Sequence, residues 1–256
     1  MHLKNRLLKI LTLLVIFIAW WGASLLINAE IILPNPVQVF SRVFELIKEN
    51  DFLTILLFSW GRCLVSFLIA LVVAGLLVIL AFRVKFLRHF LQILLAFLKS
   101  TPIMALILLF LIWSRAYTPI LAGLFVAIPV IYQHIYLGIE QIDYKLIEMA
   151  QVYKLSQKTI WTRIYWPALK PFLVAAVTSG LGMNFKAIIA AEVLSQPEYG
   201  IGTAMNNASI YLETKTVFAW VIIIVFTVVI TDYALDKVNK SLNYWRVNHV
   251  KNKQSF

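Results

Sequence analysis

Charged residues are scarce in this sequence. Only 14% of its 256 residues are Asp, Glu, Lys or Arg, whereas 61% are hydrophobic. Soluble domains contain about 25% charged and about 45–50% apolar residues, so this composition excludes a soluble globular domain and a disordered chain. A single cysteine, Cys63, excludes an internal disulfide framework. These deficits predict an integral membrane protein.

Catalytic motifs are absent as well. A membrane-embedded enzyme needs a nucleophile–base pair or a metal cluster, and the sequence has no His-x-x-x-His, no paired aspartates and no Gly-x-Ser-x-Gly. The lone His134 has no second ligand at metal-binding spacing. The chain also lacks the Gly-x-x-x-x-Gly-Lys-[Ser/Thr] phosphate-binding loop. We therefore expect no catalytic residue, no metal site, no cofactor of its own and no ATPase activity.

Long runs with few or no charges divide the chain into candidate membrane spans. A hydrocarbon core about 30 Å thick requires roughly 20 apolar residues per helix. The first run could also be a secretory signal, but it extends to Ile27 and exceeds the usual core of about 7–15 residues, which favours a retained anchor. An amphipathic segment at 36–49 is expected to form a helix on the outer surface. The single transmembrane domain, 1–256, has predicted spans at 10–29, 60–82, 88–113, 118–138, 170–194 and 216–236.

The excess of basic residues predicts the orientation of these spans. The formal net charge is +11, from 23 Lys and Arg against 12 Asp and Glu. The segments 1–9, 83–88, 140–170 and 232–256, on the side of the two termini, contain sixteen of the 23 basic residues. The opposite side has five, and two more, Lys99 and Lys186, lie within spans. The positive-inside rule then places both termini in the cytoplasm, and no nucleic-acid partner is needed to explain the charge.

The predicted cytoplasmic connection at 139–169 is long and too hydrophobic for a solvated linker. Residues from Glu148 to Leu155 can form one short helix, and Ser156 can cap a second helix from Gln157 through Tyr165. Pro167 is expected to end that second helix. Exposed Met and Tyr side chains favour a docking surface for another protein. A plain helix at the membrane interface is the alternative.

At this connection the sequence resembles the inner-membrane permeases of binding-protein-dependent ABC importers. Their signature is Glu-Ala-Ala, three residues, Gly, nine residues and Ile-x-Leu-Pro. This chain has Glu148-Met149-Ala150, Lys154 at the glycine position, and Ile164-Tyr165-Trp166-Pro167 at the matching spacing. Lys154 is the main departure, because the glycine allows a tight turn with positive φ and a lysine there costs on the order of 1 kcal/mol.

Further segments resemble the branch of the family that imports nitrate, alkylsulfonates, taurine and thiamine precursors. The resemblance extends over almost the whole chain, in the same order as in that branch. The matching segments are Leu33-Pro34-Asn35-Pro36, Ser100-Thr101-Pro102, Gly180-Leu181-Gly182, Ala190-Ala191-Glu192 and Gly200-Ile201-Gly202.

The resemblance implies an all-α membrane protein of the type I importer permease fold, with six transmembrane helices and cytoplasmic coupling helices. It implies two copies of the chain, most simply identical, in the bacterial cytoplasmic membrane. Two ATPase subunits, which bind ATP and Mg²⁺, would dock at the 139–169 connection, and an extracytoplasmic substrate-binding protein would dock outside. The implied ATPase-coupling residues are Glu148, Met149, Ala150, Val152, Tyr153, Lys154, Ser156, Ile164 and Pro167.

Ionisable and polar residues within the spans are candidates for the translocation path. Charges inside a membrane usually face the interior of a helix bundle or a wet cavity. Lys186, together with Lys99, could line the passage and favour an anionic substrate. Alternatively, Lys186 could be neutralised by Glu192 or by a carbonyl group of a neighbouring helix and have a packing role. The candidate path residues are Lys99, Ser100, Thr101, Asn184, Lys186 and Glu192.

Two other classes of membrane protein remain as alternatives. A secondary transporter functions without an ATPase-docking loop and often has internal repeats, and none is visible here. The energy-coupling transmembrane subunit of vitamin importers also docks ATPases. It uses Ala-Arg-Gly coupling helices, and Ala-Arg-Gly does not occur in this sequence.

Overall fold

The computed structural model describes the backbone of residues 2–253 and most side chains between residues 8 and 237. Within residues 2–253 the chain is helical and forms no strand, in agreement with the all-α fold that the family resemblance implies. The helices are α1 (His2–Ile27), α2 (Pro36–Lys48), α3 (Phe52–Arg83), α4 (Lys85–Ser100), α5 (Ile103–Trp113), α6 (Thr118–Glu140), α7 (Tyr144–Val152), α8 (Gln157–Ile160), α9 (Trp166–Ser195), α10 (Ile201–Ile210) and α11 (Thr214–Lys253).

Helices α3, α6 and α9 form the centre of the molecule. They pack against one another along their lengths. Small side chains such as Ala70, Ala127 and Ala176 are fully buried between them. Small residues let helix backbones approach closely, which replaces the hydrophobic driving force that is missing in lipid. The outward faces of these helices carry exposed leucine, valine and isoleucine side chains, as expected for surfaces in contact with lipid.

Four of the described helices are long and apolar enough to cross a membrane, and a fifth span is possible from a bent pair. The pair is α4 and α5, which meet at 96°. The predicted span 88–113 is therefore divided by a sharp bend. In α1, the apolar described part is the shorter segment Leu14–Ile27. The count of six crossings stays a prediction.

The segment predicted at 36–49 forms helix α2. Asn35 caps its N-terminus by accepting a hydrogen bond from the backbone of Val37, and the side chain of Gln38 accepts one from the backbone of Asn35. This is a capping box. Val39 and Leu46 are buried towards the rest of the chain, whereas the opposite face is apolar and exposed.

The connection after α6 contains the two predicted short helices, but the second one does not end where we expected. Ser156 caps α8 and accepts a hydrogen bond from the backbone of Thr159, 3.2 Å away. The chain then makes a π-helical turn at Trp161–Tyr165 and continues directly into α9, so that Gln157–Ser195 is one helical segment. The prediction that Pro167 ends the helix is wrong. Proline is tolerated in the first turn of a helix, where its missing N–H matters least, and the wider π-turn precedes it.

Candidate functional site

A cavity of about 650 Å³ lies beside the bend between α4 and α5. Side chains from α4, α5, α6 and α9 form its walls. Its three polar lining residues are Lys99, Thr101 and Lys186, which come from sequence positions up to 87 residues apart. The remaining lining residues are Leu98, Ile103, Leu106, Phe125, Val126, Pro129, Val130, Met183, Ala187 and Ala190.

The two lysines of the cavity have different surroundings. Lys99, in the last turn of α4, donates a hydrogen bond to Oε1 of Gln133 on α6. Lys186 is exposed, and within the described part of the chain it forms no hydrogen bond or ion pair. Two ammonium groups therefore share one largely apolar cavity. Such a cavity attracts anions, because charges in a low-dielectric cleft are poorly screened.

The bend beside the cavity follows from Pro102. Proline disfavours helical geometry in the preceding residue, and Thr101 is accordingly extended, with φ −75° and ψ 128°. The hydroxyl groups of Ser100 and Thr101 both donate to the carbonyl oxygen of Phe97, at 2.9 Å. Thr101 lines the cavity, whereas Ser100 is exposed elsewhere. Non-helical backbone at membrane depth is tolerated where it lines such a cavity.

Glu192 does not line the cavity and does not pair with Lys186. Its carboxylate is fully buried and accepts a hydrogen bond from Nη1 of Arg62 at 2.6 Å. The hydroxyl of Ser59 lies 2.8 Å from Oε2, and the backbone N–H of Gly202 donates to the same oxygen at 3.0 Å. The alternative that Glu192 neutralises Lys186 is wrong. Residues six apart on a helix point in different directions.

Asn184 also lies away from the cavity. It is fully buried, accepts a hydrogen bond from the hydroxyl of Ser66 at 2.8 Å, and donates one to the carbonyl oxygen of Cys63 at 3.2 Å. Asn184 and Glu192 are eight residues apart and therefore share the face of α9 that packs on α3. Lys186 lies on another face. The structure thus gives these two predicted path residues contacts between helices instead.

Sequence reasoning missed the partners of Glu192. Arg62 lies near the start of the predicted span 60–82, but α3 begins ten residues before Arg62, at Phe52. Inside that helix, Ser59, Cys63 and Ser66 follow each other at helical spacing and are buried. The sequence signal for this ion pair was an arginine beside a stripe of small polar residues in an apolar helix. A charge in a membrane span usually has a partner.

Six of the nine predicted coupling residues lie in helix α7 and the turn that follows it. Ala150 is fully buried and fixes the helix to the protein, whereas Glu148 and Met149 are exposed. Val152 and Tyr153 are 78% and 73% exposed, so the apolar surface here is open. Ile164 and Pro167 are half-buried after the second short helix.

Lys154 adopts the backbone conformation that glycine would have at its position. Its φ is +48°. The N–H of Lys154 donates to the carbonyl oxygen of Gln151, and the N–H of Leu155 donates to that of Ala150, both at 2.9 Å. These two bonds form a Schellman motif, which satisfies the last carbonyl groups of α7. The tight turn therefore persists despite the lysine.

Comparisons with known proteins cover most of the chain. Residues 66–244 match the family described as "binding-protein-dependent transport system inner membrane component". The putative aliphatic sulfonates transport permease of Bacillus subtilis is 27% identical over 93% of this chain and 88% of the relative. The taurine transport system permease of Escherichia coli is 24% identical, over 93% and 89%. The nitrate import permease of Synechocystis is 30% identical over 63% of each chain.

Proposed function

Because this chain belongs to the family of binding-protein-dependent transport system inner membrane components, we propose that the cavity containing Lys99 and Lys186 is its path for an anionic solute. The chain is a permease subunit of an ABC importer and not an enzyme, and a partner ATPase hydrolyses the ATP. Family membership also decides against a secondary transporter.

The observation that carries the proposal is the pair of ammonium groups in the cavity. Lys186 has no partner within the described residues, while Lys99 is oriented by Gln133. A lysine at membrane depth is costly unless it faces water or an opposite charge. An anionic solute supplies that charge during passage. The relatives are named for sulfonates, taurine and nitrate, each of which carries an anionic group.

We propose that the ATPase subunit, which drives transport, docks on the exposed surface of α7 and on the turn at Lys154. Met149, Val152 and Tyr153 present an apolar patch that an ATPase subunit can cover. In the proposed assembly two identical permeases each hold one ATPase subunit, with ATP and Mg²⁺ bound by the ATPases. Both termini are cytoplasmic, and the substrate-binding protein docks on the opposite side of the bacterial inner membrane.

The test is ATP-dependent uptake by proteoliposomes that contain the permease, its ATPase and its co-purifying binding protein. Mass spectrometry of that binding protein identifies the cargo, and we expect it to be negatively charged. Lys186→Met should lower the uptake rate at least tenfold, because the cavity loses its unpartnered charge. Lys48→Met is the matched control, since this exposed lysine ends α2 and does not line the cavity. A cationic cargo, or normal uptake by Lys186→Met, would contradict the proposal.

A further inference from the structure

The walls of the cavity are far more apolar than an anion alone requires. Ten of the thirteen lining residues carry apolar side chains, and the three polar ones are Lys99, Thr101 and Lys186. A cavity of about 650 Å³ lies within the range of roughly 300–1,000 Å³ in which proteins enclose whole organic molecules. The cavity therefore combines two positive charges with apolar walls.

We propose that this cavity is selective for organic anions with an apolar body, and that it discriminates against zwitterions and small inorganic anions. The inference rests on the proposed function, because it assigns the class of solute that the path accepts. An apolar body that contacts the walls removes their apolar surface from water, and binding becomes more favourable in proportion to the area buried. A small inorganic anion pairs with the charge of a lysine but leaves the apolar walls in contact with water.

Discrimination against zwitterions follows from what the cavity does not offer. Among the described residues, the lining contains no aspartate or glutamate. The acid nearest to Lys186 along α9 is Glu192, and its carboxylate is buried and occupied by Arg62, Ser59 and Gly202. The Oε1 of Gln133 is occupied by Lys99. The ammonium group of a zwitterion would lose its hydrating water in this cavity and gain no carboxylate to replace it. The two lysines would also repel its positive charge.

Apolar side chains stand close to the lysines along the chain. Met183 and Ala190 lie one helical turn on either side of Lys186 and line the same cavity. Ile103 follows the bend that contains Thr101, and Phe125 on α6 contributes an aromatic ring to the lining. An organic anion can therefore place its charged group at the lysines and its body against neighbouring walls in one binding event.

A matched pair of solutes tests this selectivity without the binding protein. Propanesulfonate and taurine have the same number of heavy atoms and the same sulfonate, and they differ by a terminal methyl against an ammonium group. The full permease–ATPase complex is placed in lipid nanodiscs, and binding of radiolabelled propanesulfonate is measured by equilibrium dialysis, with empty nanodiscs subtracted. Unlabelled propanesulfonate should compete at least tenfold better than taurine or nitrate.

Variants connect this binding to the cavity. Lys186→Met should weaken propanesulfonate binding at least tenfold, Lys186→Arg should retain most of it, and Lys48→Met should leave it unchanged. Equal competition by taurine, with binding still dependent on Lys186, would overturn the selectivity but leave the anionic path intact. No saturable propanesulfonate binding would overturn the selectivity alone, because the path for an anion does not require this solute. Binding unaffected in a folded Lys186→Met variant would overturn both. The comparison of solutes needs only the unaltered protein, so a folding defect in one variant leaves the selectivity testable.

Discussion

At the scale of single residues, the carboxylate of Glu192 joins three helices. It accepts hydrogen bonds from Arg62 and Ser59 on α3 and from the N–H of Gly202 in α10. The hydroxyl of Ser59 in turn accepts a bond from the N–H of Ile201, at 2.9 Å. The first N–H groups of a helix have no acceptor within the helix. Ser59 and Glu192 accept the hydrogen bonds of two such N–H groups, those of Ile201 and Gly202, at the start of α10. The side chain thereby fixes the position of α10 on the bundle.

Removing one member of this group should destabilise the protein strongly. Arg62→Met leaves a fully buried carboxylate without its cation, since Glu192 has 0% exposure and Arg62 only 15%. Breaking a buried ion pair by deleting one partner typically costs about 3–5 kcal/mol. We expect the free energy of unfolding to fall by roughly 3 kcal/mol, measured by reversible unfolding in mixed detergent micelles.

A second variant separates this explanation from a general packing defect. In Arg62→Met/Glu192→Gln the buried charge is gone, and the glutamine amide oxygen can still accept from Ser59 and Gly202. This double variant should recover a substantial part of the lost stability. Arg83→Met, at the exposed end of the same helix, is the control and should shift stability by no more than about 0.5 kcal/mol. Equal losses in the single and double variants would show that charge burial is not the cause.

At the scale of elements, the turn between α7 and α8 determines which side chains the coupling surface presents. The two hydrogen bonds of the Schellman motif hold Lys154 at positive φ, a conformation that costs a non-glycine residue roughly 1–2 kcal/mol. The turn leaves Tyr153 exposed beside Val152. The geometry of the connection therefore supports a fixed apolar patch, which is what a docking surface requires.

Tyr153→Ala should reduce association with the ATPase subunit. Tyrosine offers an apolar ring and a polar tip, and such anchors often dominate interfaces. We expect at least a tenfold weaker affinity, equivalent to about 1.4 kcal/mol, in pull-down titrations of the detergent-solubilised permease with its ATPase.

The control for this change lies on a different helix. Phe44 on α2 is 65% exposed and also aromatic, and it belongs to the predicted outer surface. Phe44→Ala should leave ATPase association unaltered. If Tyr153→Ala binds the ATPase as the unaltered chain does, or if Phe44→Ala weakens binding equally, the docking surface lies elsewhere.

Two prolines illustrate why helix boundaries were difficult to predict. Pro102 interrupts the apolar run 88–113 and bends it by 96°, whereas Pro167 lies in an unbroken helical segment from Gln157 to Ser195. Both residues lack an N–H and fix φ. The difference arises from the preceding backbone, which is extended at Thr101 and π-helical at Trp161–Tyr165. Periodicity alone does not report that difference.

At the scale of the whole molecule, the proposed orientation makes a direct prediction. The only cysteine, Cys63, is fully buried, so Cys63→Ala gives a cysteine-free background with a small change in volume. A cysteine at Asn50 should then react with a membrane-impermeant maleimide in intact cells, because this residue lies on the proposed outer side. A cysteine at Ser156 should react only after the cells are permeabilised.

The two labelling sites control for each other. Both residues are exposed in the folded chain, so a missing reaction reports location and not burial. Labelling of the Ser156 variant from outside, or of the Asn50 variant only from inside, would reverse the orientation and move the coupling surface away from the ATP-containing side.

The sequence by itself determined the class of this protein. Its apolar fraction and uncharged runs indicate a membrane protein, and the distribution of lysine and arginine predicts an orientation. The segment from Glu148 to Pro167 resembles the signature of a family, and the match over residues 66–244 confirmed that family. A local signal, the cap at Ser156, was also readable from the sequence. All of these depend on composition or on residues close together in the chain.

The tertiary structure alone decided which polar residues meet. Lys99 and Lys186 line one cavity, whereas Glu192, only six residues after Lys186, turns to Arg62, 130 residues earlier. Asn184 likewise turns to Ser66. A helix distributes neighbouring residues over all its faces, and the partner of each face depends on which other helix packs there. That packing is set by small side chains and bends across the whole chain, so spacing along one helix could not assign the cavity or the buried ion pair.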